Sequence, residues 1–208
     1  MKRILFVLLM LAASPGWAQT AYEKGMSKAF ELWKQGNSAE ASALFERIAS
    51  AEKDNWLPNY YVALVNTTAS FQTRDKEKVS ALLNKAQQAL DIEMVKNPEN
   101  EEIMILQALI YTGWVAFDPM TYAMTMSPKV MELYDKVLRI APQNPRAVFG
   151  RAEYEMGGAK FFGTDTKPMC AEIERSIALF DQFQPATPFS PKWGKERALQ
   201  VLADCGKK

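Results

Sequence analysis

Apolar residues recur every three or four positions along most of the chain, the spacing that lines up side chains on one face of an α-helix. The segment with Ile103, Leu106, Ile110, Trp114 and Phe117 carries a second apolar stripe, Met104, Ala108, Tyr111 and Val115. A helix apolar on two sides must be sandwiched between neighbours, so this one is expected at the centre. Single stripes predict further helices through Tyr22, Met26, Phe30 and Trp33, through Ala41, Leu44, Phe45 and Ile48, and from Pro58 to about Gln72. Others run through Val79, Leu83, Ala86 and Leu90, through Val130, Tyr134, Val137 and Ala141, through Val148, Phe149, Ala152 and Met156, and through Ile173, Ile177 and Phe180. The expected class is all-α.

The breaks between these helices repeat. In APQNP, Pro142 stops one helix, the Asn144 side chain can cap the next, and Pro145 suits a first helical position, where no amide donor is needed. KNPENEE and EKDNW read alike, and Asn55, Asn100 and Asn144 lie 45 and 44 residues apart. A near-constant period of this size is the mark of stacked helical hairpins, each with a leading and a trailing helix. The first unit is shorter, 34 residues from Tyr22 to Asn55. In the third, Ser127 and Pro128 predict the start of the trailing helix, leaving DPMTYAMTMSP as a loop. Ser190 and Pro191 predict the start of a closing helix that runs to about Asp204.

Two segments carry a resemblance. LYDKVLRIAPQNP, with Tyr134, Val137 and Pro142, and GNSAEASALFERIAS, with Gly36, Ala41 and Phe45, resemble the second half of the tetratricopeptide repeat. The likeness extends from about Thr20 to Phe183, with units two to four about ten residues longer than that repeat and without the tryptophan and glycine of its leading helix. It implies a TPR-like α-solenoid, a right-handed array of antiparallel helix pairs. Its concave side, lined by leading helices, would receive a peptide or protein.

Charge and composition narrow the function. The first residues combine Lys2 and Arg3, an apolar run from Ile4 to Ala13, and small residues at Gly16 and Ala18. That is the layout of a cleavable secretory leader over residues 1–18, cut after Ala18, ahead of one helical repeat domain over 19–208. The expected location is periplasmic or secreted. The apolar run is too short to span a bilayer core, which needs about 20 residues, so no stable membrane insertion is expected after cleavage. Formal net charge is +1, and about −1 once Lys2 and Arg3 are removed, so the broad basic field of a nucleic-acid binder is absent. The chain has no histidine, which removes Ser/His and Cys/His nucleophile pairs, histidine bases and nearly every common zinc site.

The candidate chemistry is therefore recognition, with no enzyme activity and no cofactor expected. Aromatic and arginine side chains concentrate binding energy at interfaces. On the leading helices Tyr60, Asn66, Gln107, Arg146 and Arg151 are the candidate partner-binding residues for a protein or peptide, and the two arginines are expected to be exposed. Trp114 and Tyr111 read as core. The competing readings are an exported carboxylate-dependent hydrolase or a metal-binding protein. Asp118 and Asp165 fall at one edge of the array and could join Glu153 and Glu155, although loop aspartates more often cap helices. Met120, Met124 and Met126 have the thioether chemistry that suits cuprous copper, against a plain packing role. Cys170 and Cys205 sit at similar distances from the turn joining the last two helices, so an antiparallel closing helix brings them together as a disulfide.

Overall fold

The computed structural model describes residues 20–205; the expected leader, with its cut after Ala18, lies outside them. The described residues form helices α1 (Ala21–Lys34), α2 (Ser38–Ala51), α3 (Leu57–Ser70), α4 (Lys76–Lys96) and α5 (Glu101–Phe117). They continue as α6 (Pro119–Ile140), α7 (Pro145–Phe162), α8 (Lys167–Gln182) and α9 (Lys195–Ala203), with no strand among them. Consecutive helices pair as hairpins, α1 with α2 through α7 with α8, and α9 packs on α8. The leading helices also touch one another, α3 on α5 and α5 on α7, and so make an inner row.

Several starts have a local cause. Thr20 and Glu23 form a reciprocal capping box on α1, and the Asp75 side chain caps α4. Asn100 accepts from the Glu102 and Ile103 amides, and Asn144 from the Arg146 and Ala147 amides, which satisfies donors that a helix start would otherwise leave unpaired. The two stripes of α5 are both used. Ile103, Leu106 and Ile110 join a core with α1 to α4, while Met104, Ile105 and Ala108 pack against Val130, Tyr134 and Val137 of α6. A third cluster, with Phe149, Ala152, Met156 and Ile173, is closed by Ala198 and Val201 of α9.

Two boundaries differ from the expected ones. Helix α6 starts at Pro119, because Asp118 accepts from the Thr121 amide and Pro119 takes the first position. Pro128 then lies inside the helix. Its missing amide leaves the Met124 carbonyl without its helical partner, and both residues are exposed, so water can take that place. Helix α9 starts at Lys195, because Ser190 is held in a turn with Thr187, the two hydroxyls 2.9 Å apart. The chain enters α9 through Gly194 at φ 113°, where a Cβ would lie 2.7 Å from the Phe180 ring.

The disulfide expected between Cys170 and Cys205 is present, with a Cα to Cα distance of 5.9 Å. It fixes the end of α9 to the first turn of α8.

Candidate functional site

The inner row is covered by the chain itself. Residues 183–194 leave α8, cross to α1 and return to α9, and an ion pair between Asp181 and Lys195 closes the base of this loop. Compact loops with adjoining ends are packed by their own side chains, and here those side chains are aromatic. The Phe189 ring meets Tyr22 edge-on at 5.5 Å and stacks near Phe30 at 6.1 Å. The Tyr61 hydroxyl donates to the Phe189 carbonyl at 2.7 Å, and the Trp193 indole N–H donates to the Tyr60 hydroxyl at 2.7 Å. At the near end the Phe183 ring faces the Arg146 guanidinium, 4.3 Å from its centroid, a cation–π arrangement.

Under the loop lies a buried polar cluster. Arg146 donates from Nε and Nη2 to the Glu102 carboxylate at 2.7 and 2.6 Å, and Asn144 donates to the same carboxylate at 2.8 Å. Burial works against the charged guanidinium, but the hydrogen bonds and charge of Glu102 outweigh it and hold the Arg146 pKa above its ordinary value. Burial, with the Glu102 charge adding to it, pushes the Tyr60 phenol well above its usual range; burial likewise raises Tyr61.

Of the candidate partner-binding residues, four are buried. Tyr60 lies under the loop, and Arg146 is 1 % exposed, which corrects the expectation that it faces water: its partner Glu102 lies on the neighbouring leading helix, inside the array. Asn66 donates to Ser42 at 2.8 Å and to the Val62 carbonyl, and Gln107 exchanges two hydrogen bonds with Gln87 at 2.7 and 2.8 Å. Both amides tie helices together. Arg151 is partly exposed and pairs with Asp135 at 3.3 Å and Glu155 at 3.5 Å.

The carboxylates have ordinary partners. Asp118 accepts from the Thr121 hydroxyl and amide, which holds its pKa below the usual carboxylate range. Asp165 accepts from the Lys167 amide, and Glu153 pairs with Arg197. No group of three or more histidine, cysteine, aspartate or glutamate side chains among the described residues could hold a metal ion. Met120 and Met124 are 85 % and 90 % exposed on the first turns of α6, where a loop had been expected. Phe161 and Phe162, 67 % and 78 % exposed, end α7. The Tyr154 to Ser127 hydrogen bond, with Tyr134 packed beneath Gly150, fixes the register of these antiparallel helices. It places the end of α7 level with the start of α6, so the four residues lie at the same end of this helix pair.

No family model matches the sequence, and no curated protein matches it. Among solved structures the chain is similar to the HusA haemophore from Porphyromonas gingivalis, with TM-score 0.70, 22 % identity, and coverage of 91 % of this chain and 94 % of that one. It is also similar to a thermophilic TPR protein of Thermus thermophilus, with TM-score 0.59, 15 % identity, and coverage of 77 % and 75 %. The fold is a TPR-like helical repeat. In this TPR-like frame the residues that sequence reasoning missed are Phe183, Phe189 and Trp193, which occupy the inner channel. Their signal was three aromatics among the prolines of a connection too long for a simple turn.

Proposed function

We propose that the protein is an exported, non-enzymatic binding scaffold that engages a protein or peptide partner along the edge formed by the end of α7 and the start of α6. The exposed apolar set Met120, Met124, Phe161 and Phe162 carries this reading. Large apolar groups left this far in water at one end of a helix pair mark a candidate interaction site, and methionine and aromatic side chains are enriched at interface cores. The inner channel, the usual seat of a ligand in a concave array, is filled by residues 183–194, which directs a partner to the edge. Arg151, on the same helix as the two phenylalanines, is the candidate residue that retains partial exposure. Export is supported by the leader pattern and by the disulfide, which oxidising compartments favour.

A second reading is favoured by the similarity to a haemophore over nearly the whole of both chains. On that reading the edge carries haem or another flat, apolar tetrapyrrole as cargo, lying on one of the two phenylalanine rings, which stand at 89° to each other. With no histidine in the chain, Met120 and Met124 supply the soft donor atoms there.

Cross-linked capture from the native host tests the first reading and a haemin titration the second. A recurrent partner held by the wild type and lost with Met124→Glu/Phe162→Glu supports the first reading; one that the variant retains moves the site elsewhere. A haemin titration whose absorbance change is lost in Met120→Ala/Met124→Ala supports the second.

A further inference from the structure

Residues 183–194 fill the channel without being threaded through it. Gln184, Ala186, Thr187 and Pro188 are exposed, so the loop rests on the inner row with its outer side in water. It is held at identifiable points: the Phe189 ring among Tyr22, Phe30 and Tyr61, the Phe189 carbonyl on the Tyr61 hydroxyl, and the Trp193 indole N–H on the Tyr60 hydroxyl. These are the contacts of a bound peptide. They consist of an aromatic anchor, a main-chain acceptor beside it, and a second anchor with its own donor.

The loop nevertheless leaves gaps in its seat. An open cavity of about 380 Å³ lies between the loop's own Pro188, Phe189 and Trp193 and Ser27, Phe30 and Tyr61 of the leading helices. Beneath Phe183, the buried Nη1 of Arg146 has no hydrogen-bond partner, although the other two guanidinium nitrogens are bonded to Glu102. A buried donor without an acceptor is uncommon and costly, and a ligand carbonyl or carboxylate would satisfy it.

We propose that residues 183–194 are an internal ligand of the inner channel, and that a partner peptide presenting phenylalanine and tryptophan four residues apart, as Phe189 and Trp193 do, binds there when the loop is displaced. Tyr60, Tyr61 and Arg146 are then the recognition residues, concealed in the resting molecule. Affinity for such a peptide is reduced by the small fraction of molecules whose loop is open, so loosening the loop strengthens binding without adding a contact. This goes beyond the edge reading of function, because the channel and the edge are separate surfaces.

The test uses the full chain and a fluorescein-labelled synthetic peptide with the sequence of residues 181–195, followed by anisotropy. The Phe189→Ala/Trp193→Ala variant is expected to bind it about tenfold or more tighter than the wild type. Adding Tyr61→Phe to that variant, which removes the donor to the Phe189 carbonyl, is expected to weaken binding again, and a scrambled peptide is expected not to bind. A variant with an intact helical circular dichroism spectrum that fails to bind, or binds no more tightly than the wild type, overturns the proposal. Should the variant lose its helices, amide exchange of the wild type decides: faster exchange in residues 183–194 than in α3 and α5 supports a displaceable loop, and exchange only by global unfolding overturns it. The peptide measurement involves none of the edge residues, and the capture experiment none of the channel residues, so the two readings fail separately.

Discussion

The Arg146 guanidinium meets the Glu102 carboxylate in two hydrogen bonds of 2.7 and 2.6 Å across 44 residues of sequence. That interval is one repeat. Each residue is the second of its helix, α5 or α7, behind a capping asparagine, so the pair clamps equivalent positions of successive leading helices. Losing one partner of a buried pair leaves an uncompensated charge, at a cost of about 3–5 kcal/mol, whereas replacing both with apolar groups is often nearly neutral. Arg146→Met is therefore expected to be strongly destabilising in urea unfolding, and Arg146→Met/Glu102→Leu to recover most of the loss. A single variant as stable as the wild type would show that the pair is not the clamp described.

The buried phenols set an alkaline limit. Burial raises the pKa of Tyr60, Tyr61 and Tyr134 above 10.0, so each favours the fold while protonated. Their folded-state values lie above the unfolded one. The stability they contribute is whole below about pH 10 and is lost as pH rises beyond it. Tyrosinate absorbance should rise in two phases, with the late phase coincident with loss of helical ellipticity. A single early phase with the helices intact would contradict the burial of these rings.

The helices and their order were legible because helix-periodic stripes and Asn-Pro punctuation are local signals. The two faces of α5 could be read before its neighbours were known, since a helix apolar all round has to be covered on both sides. Local rules failed where two starts competed. Ser127-Pro128 has the form of a helix start, but Asp118-Pro119 offers one nine residues earlier, and a solvent-facing proline is tolerated inside α6. The site was less legible. Arg146 reads as a surface residue until Glu102, 44 residues away, is brought against it. The aromatics of residues 183–194 show no helical period, so their destination depends on a tertiary path that the sequence pattern does not encode.

Glycines on α7 should respond in opposite senses. At Gly150 an added Cβ would collide with the Tyr134 hydroxyl and ring, whereas at Gly157 and Gly158 it would meet nothing. In a helix interior alanine is favoured over glycine by about 0.5–1 kcal/mol when space allows. Gly158→Ala is expected to raise the melting temperature slightly, and Gly150→Ala to lower it, since Tyr134 is buried and cannot move aside without opening the α6–α7 contact. Equal effects at both positions would contradict the close approach at Gly150.

The Cys170–Cys205 bond closes a loop spanning a sequence separation of 35 that contains most of α8, residues 183–194 and α9. Cross-linking limits the unfolded chain, an effect worth about 2–4 kcal/mol for loops of ordinary length. Helix α9 has only 9 residues, too few to be stable alone, and its Ala198 and Val201 complete the third core cluster. Its first residue, Lys195, also holds the base of the channel loop through Asp181. Cys205→Ser is therefore expected to lower stability by about 2–4 kcal/mol, with amide exchange rising first in α9 and then in residues 183–194, before α3 or α5 is affected. Thiol labelling of the denatured, unreduced wild type should find no free cysteine. Exchange that rises uniformly along the chain would mean that α9 and the loop are not a separate, late-docking unit.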